Sequence, residues 1–204
     1  MTSSSRPLVD RERAELADLF DELGPDAPTC CEGWTTAHLA AHLVVREGRP
    51  DALPGLGLEQ LGIGAPLVAW THRLEDRLRG CTPYPEIVAR FRSGPPVWSP
   101  MALPGPGRAL NTSEFAIHHE DVRRAQPDAT PRALPREVQD QLWSAVVLFG
   151  RRAARRKGGL VLRRSDAPGV EKRYGEGRTA VEGEPMELLL WSAGRTSVAR
   201  VTIT

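Results

Sequence analysis

The stretch NTSEFAIHHEDVRR, Asn111–Arg124, sets a carboxylate, two adjacent histidines, two further acids and two arginines within one short segment. On an α-helix successive residues are about 100° apart, so side chains four positions apart share a face. Glu114 and His118 stand in that relation, and Asp121 follows one turn later. A glutamate and an imidazole stacked in this way can bind one divalent ion, provided another helix supplies a third donor. A solvated helix face is the competing reading, because i,i+4 polar pairs are common on helix surfaces. The spacing predicts a helix from Asn111 or Thr112 to Gln126, closed by Pro127, with Leu110, Phe115 and Val122 packing on its flank.

A source for the third donor lies upstream. Thr36–Arg46 reads as a helix that is apolar over much of its girth, with Thr35 as its N-cap. His38 and His42 lie four apart on one face of it, and either offers an imidazole. A histidine on an apolar helix is otherwise a packed core residue.

The remaining pattern is also helical up to residue 157. Leu16, Leu19, Phe20 and Leu23 give an amphipathic helix over Val9–Leu23, stopped by Gly24-Pro25. Shorter helices are expected over Leu67–Arg79 and Pro85–Arg92, and a long one over Ala133–Lys157. Two Pro/Gly-rich loops, 48–66 and 93–107, are candidate covers for a site, the second carrying Trp98. After Gly158-Gly159 the period changes from 3.6 to 2. Short strands are expected in LVLRRS, VEKRY, RTAVEG and SVARVTIT, with a helix in MELLLWSA opened by Pro185. The expected architecture is mainly α: a helical bundle over residues 1–157, followed by a small α+β domain over 158–204.

Composition narrows the function classes. Lys+Arg 27 against Asp+Glu 26 leaves no bulk charge to attract nucleic acid or a membrane surface. The cationic run Arg151–Lys157 lacks aromatic interleaving and suits a solvated helix end. The opening MTSSSRPLVDRER is polar at once, and no apolar run approaches a membrane span. Cys30, Cys31 and Cys81 form no metal or redox spacing, and Cys31 is read as structural. A reducing cytoplasm is the expected compartment, and the abundance of Arg, Ala, Gly and Pro points to a GC-rich bacterial genome. No P-loop, nucleophile-elbow or dinucleotide fingerprint is present.

Two imidazoles and a carboxylate suit Zn2+ with an open coordination position, other divalent ions being compatible with the same donors. Asp121 is placed to orient His118 from behind, and His119 lies about 100° round from it. Arg124 or Arg123 is a candidate for holding an anionic substrate group, against the alternative of a solvated helix arginine.

CEGWTTAHLAAHL, the later EFAIHHEDVRR and the terminal VEGEPMELLLWSAGR together resemble the DinB-like metalloprotein superfamily. Within it they resemble the branch containing the mycothiol-dependent maleylpyruvate isomerase N-terminal domain, and an uncharacterised actinobacterial metal-binding group. In that branch a histidine follows a helix-starting Trp-Thr pair eight residues after the tryptophan, matched by Trp34 and His42. A glutamate and a histidine four apart follow on a later helix, matched by Glu114 and His118. The resemblance implies a four-helix bundle holding zinc through His42, Glu114 and His118. His38 departs from the pattern, since relatives often carry an acid there, and stands beside the ligands as a rival imidazole. It also implies use of mycothiol or another small thiol, in a transferase or isomerase acting on a small molecule. A non-catalytic metal- or ligand-binding module for stress or sensing is the alternative. A monomer or homodimer is expected.

Overall fold

A computed structural model describes residues 7–55, 63–103 and 106–204, with the side chains of 106–109 left aside. The expected loop 48–66 therefore lies partly outside the described residues, at 56–62, and the loop 93–107 at 104–105. The chain is mostly helical with a small sheet towards its C-terminus. It divides into two compact units, residues 1–129 and 130–204. No helix among the described residues is long and apolar enough to cross a membrane.

The first unit holds α1 (Leu8–Leu23), α2 (Thr36–Gly48), α3 (Ala65–Cys81), α4 (Tyr84–Ser93) and α5 (Pro106–Arg123). A short 3-10 turn, Pro100–Ala102, precedes α5. Helix α1 packs on α4 and α5, and α2 packs on α3 and α4. Their common core contains Leu16, Phe20, Leu39, Leu43, Ile87, Phe91 and Phe115, all buried. The Phe91 ring meets Phe20 and Phe115 edge-on, with centroids 5.9 and 5.4 Å away. Burying each such side chain contributes roughly 1.5–3 kcal/mol.

Helix boundaries follow local chemistry. Gly24, at φ 75°, ends α1, a conformation costly for a side chain bearing Cβ. At the start of α2, His38 Nδ1 accepts the Thr35 N–H at 3.2 Å, so an imidazole completes the capping box usually closed by Glu or Gln. Helix α5 starts at Pro106, earlier than the expected Asn111 or Thr112. Proline is favoured in a first turn because its missing N–H has no intrahelical partner there. The helix also ends at Arg123, before the expected Gln126.

The second unit corrects the expected grouping. The long helix α6 (Arg136–Lys157) starts after Pro135, not at Ala133, and belongs to this unit. Its stripe of Val138, Leu142 and Val146 is buried, and its main partner is α7 (Pro185–Ser192). An amphipathic stripe states that a helix is buried, but not which neighbour covers it. Four strands, β1 (Leu160–Arg164), β2 (Glu171–Tyr174), β3 (Ala180–Gly183) and β4 (Thr202–Ile203), form a sheet of order β2-β1-β3-β4. β1 is antiparallel to β2 and parallel to β3, while β4 closes antiparallel on β3. The last strand is much shorter than SVARVTIT suggested. Gln139 joins α6 to the start of α7, accepting the Met186 N–H at 3.0 Å and donating to Glu184 at 2.8 Å.

Candidate metal centre

Helix α5 is buried from Phe115 to Val122 on every side, which removes the solvated-face reading. Glu120 and Asp121 are both 0 % exposed. Buried charges require partners, and each has one. Glu120 accepts from Arg124 at 2.5 Å and Arg123 at 3.3 Å, and His119 Nδ1 lies 2.9 Å from Glu12. Arg124 is thus engaged in a buried ion pair, while Trp98 stands 63 % exposed in its loop. The role of holding an anionic substrate group, expected for Arg124, has no support from this pairing.

Three helices converge at the other face of α5. His118 Nε2 lies 3.2 Å from Glu114 Oε1, and His42 Nε2, from α2, lies 3.5 Å from the same oxygen. The candidate donor atoms of His42, Glu114 and His118 all lie within 4.8 Å of one another. Each ring is oriented through its second nitrogen. His118 Nδ1 is 2.9 Å from Asp121 Oδ2, and His42 Nδ1 is 2.9 Å from Glu75 Oε1, contributed by α3. A carboxylate behind each imidazole fixes the ring and directs Nε2 forward, the arrangement ligating histidines require. The Trp34 ring lies against His42, with centroids 5.1 Å apart.

Donor spacing and type both fit a divalent ion. Ligands of a tetrahedral Zn2+, at about 2.0–2.2 Å from it, stand roughly 3.4 Å from one another. The two measured spacings, 3.2 and 3.5 Å, bracket that value. His38 takes no part in this group through its Nδ1, which is committed to the start of α2. The supporting position expected for it is filled by Glu75. Beyond Glu75 a polar cleft of about 330 Å3 opens, lined by Trp34, His38, His72, Asp76 and Arg79 among others. Neither this cleft nor a larger one of about 700 Å3, between α2, α3 and α4, is lined by any of the three donors.

Residues 9–52 match the family model described as the mycothiol maleylpyruvate isomerase N-terminal domain. The resemblance read from the motifs holds. Among solved structures, the crystal structure of the mycothiol-dependent maleylpyruvate isomerase is similar in fold over 100% of this chain and 96% of its own. Its sequence identity is 18% and its TM-score 0.52. A histidine-to-alanine mutant of such an isomerase aligns over the same shares, at 19% identity and a TM-score of 0.53. No curated protein matches the chain in sequence. The likeness to these solved structures is one of fold.

The electrostatics of the centre are those of a site holding protons where an ion would sit. Burial alone would lower the His118 pKa, but Asp121, Cys31 and Glu114 overcome it and hold the ring well above its ordinary value. His42 is raised in the same way, burial being outweighed by Glu114 and Glu75. Burial would raise Glu114, yet Arg46, His118 and His42 bring its carboxyl well below the usual range. Arg46 Nε lies 3.6 Å from Glu114 Oε1 and also donates to Asn111 Oδ1.

The sign of the resulting pH dependence is fixed. In metal-free protein the raised histidines stabilise the fold fully below about pH 6.5, and that contribution drains away as pH climbs through their folded values. The lowered Glu114 contributes above about pH 4.3 and is lost as pH falls towards its folded value. Metal-free protein is therefore expected to lose stability as pH rises above about 6.5, while metal affinity rises because protons no longer compete. Denaturant midpoints across that range, with and without Zn2+, measure both slopes. A metal-free midpoint that rises over this window contradicts the assignment.

Sequence reasoning missed Glu75, Arg46 and Cys31. Glu75 sits in HRLEDRL, where acids and bases alternate as they do on any solvated helix, and only the position of α2 reveals its partner. Glu75→Ala is expected to weaken metal binding about ten- to a hundredfold by freeing the His42 ring. Asp76→Ala, which removes an exposed carboxylate paired with Arg79, is expected to leave the affinity unchanged. Competition against a chelator of known affinity measures both.

Proposed function

We propose that the first unit binds one divalent metal ion, zinc by its donor set, through His42, Glu114 and His118. The protein uses the ion in a reaction of a low-molecular-weight thiol with a small molecule, as a thiol-dependent isomerase or transferase. The observation carrying this reading is the convergence of two carboxylate-backed Nε2 atoms on Glu114 Oε1. The similar solved structures are of a mycothiol-dependent isomerase, which makes mycothiol the thiol to test.

When bound, a divalent ion supplies positive charge that favours thiolate over thiol at neutral pH. The chain's own residues supply the rest. Asp121 and Glu75 hold the two rings in one tautomer, with Nε2 forward. Arg46 keeps Glu114 ionised and therefore available as a donor. Three protein donors leave one position open for an exogenous group, the pattern of a catalytic centre and not of a closed structural one. The polar cleft beside Glu75 and Trp34 is large enough for a small polar molecule.

The test is elemental analysis of protein purified without chelators, followed by mycothiol-dependent turnover of maleylpyruvate and of electrophilic thiol acceptors. Metal at one equivalent, with turnover lost in His42→Ala, supports the reading. Metal without turnover of any acceptor shifts it to a non-catalytic binding module.

A further inference from the structure

A second set of donors lies on the Nδ1 side of the His118 ring, away from Glu114. Cys31 Sγ is 3.3 Å from Asp121 Oδ2 and 3.9 Å from His118 Nδ1, and those two atoms are 2.9 Å apart. Around a tetrahedral ion with bonds of about 2.0 Å to nitrogen or oxygen and 2.3 Å to sulfur, neighbouring donors stand roughly 3.3–3.6 Å apart. The three measured separations straddle that range. Cys31 is held in place by its backbone: the Cys30 N–H donates to the Asp121 carbonyl at 2.8 Å, and the Cys31 N–H to Thr29 Oγ1 at 3.1 Å. Thr29 Oγ1 in turn donates to the Trp34 carbonyl at 2.9 Å, closing the turn before α2. Asp121 is fully buried while Cys31 is only half-buried, so an ion reaches the group from the thiol side.

We propose that Cys31, His118 and Asp121 form a second cation position, selective for thiophilic ions such as Cd2+. It shares His118 with the first position but uses the opposite ring nitrogen. A thiolate donor shifts preference towards softer ions than two imidazoles and a carboxylate do. Binding there needs a thiolate at Cys31 and a free lone pair on His118 Nδ1, so the S–metal and N–metal bonds form where protons would otherwise sit and protons compete with the ion. The ion also takes Asp121 away from its task of orienting His118. Soft-metal occupancy therefore weakens the hold of His42, Glu114 and His118 on zinc. Only this antagonism rests on the proposed zinc site; the second donor set stands without it.

The experiment titrates metal-free, fully reduced protein with Cd2+ and follows the thiolate-to-cadmium absorption in the ultraviolet, with circular dichroism reporting folding. Wild type is expected to develop the band with one equivalent of thiolate-bound cadmium. His42→Ala is expected to keep the band while losing zinc, as are Cys30→Ser and Cys81→Ser to keep both. Cys31→Ser is expected to abolish the band, and Asp121→Asn to weaken cadmium binding at least tenfold. In zinc-loaded protein, substoichiometric Cd2+ is expected to release zinc at least tenfold faster from wild type than from Cys31→Ser. A folded Cys31→Ser that keeps the band, or a wild type that never develops it, overturns the proposal. Zinc retained by His42→Ala alongside a normal cadmium band overturns only the zinc assignment.

Discussion

Replacing His118 by alanine is expected to abolish metal retention. The substitution takes one of three donors from the site, and the two that remain, His42 Nε2 and Glu114 Oε1, come from different helices. Removal of a supporting group behind a ligand already costs about ten- to a hundredfold in affinity, and loss of a ligand itself is expected to exceed a hundredfold. The variant also removes the imidazole that sits between Glu114 and Asp121. Glu114 keeps Arg46 and Asp121 keeps Cys31, so neither carboxylate is orphaned and the fold is expected to survive. His119→Ala is the matched control. His119 is the next residue, equally buried, and bonded to Glu12, so its loss disturbs the core without touching the donors. Elemental analysis of the two purified variants separates them: zinc absent from the first and present in the second. Full occupancy in His118→Ala would falsify the ligand assignment.

Much of this centre is legible in sequence because its defining relation is local. Glu114, His118 and Asp121 lie on successive turns of one helix, and helical geometry alone brings them together. His42 needs tertiary information, since residue spacing leaves His38 and His42 equivalent. The structure separates them by what else each ring does, His38 bonding the start of its own helix and His42 reaching Glu75 on the next. Cys31 precedes Asp121 by ninety positions and meets it only because the turn before α2 docks its backbone on the end of α5. The fold shows the same division. Element types follow from period and caps, whereas the assignment of α6 to the second unit depends on which neighbour buries its stripe. Buried charge is the least legible feature of all. Glu12 and Arg13 look like the polar face of α1, yet both are buried, and their partners lie on other helices.

Arg13→Ala is expected to cost about 3–5 kcal/mol of stability, the range for stranding one member of a buried ion pair. Arg13 spans Glu47 with two bonds of 2.5 Å, donates to the Phe91 carbonyl at 2.8 Å, and lies over the Phe91 and Phe115 rings. Without it the Glu47 carboxylate keeps, among the described residues, the Asn111 amide at 2.9 Å to offset its burial. Asn111 also accepts from Arg46, so the charges run in one chain from Arg13 through Glu47, Asn111 and Arg46 to Glu114. Because neighbours in one network couple, Arg13→Met with Glu47→Leu is expected to cost less than the two single changes summed. Urea denaturation of the singles and the double, all metal-free, measures this. A cost below about 1 kcal/mol, typical of an exposed pair, contradicts the reading of Arg13 as buried support. Metal binding discriminates further. His42, Glu114 and His118 are oriented by Glu75, Arg46 and Asp121, not by Arg13, so folded Arg13→Ala is expected to bind zinc within about threefold of wild type. Stability and affinity then fail separately, stability at Arg13 and affinity at His118, although both residues belong to one helical unit.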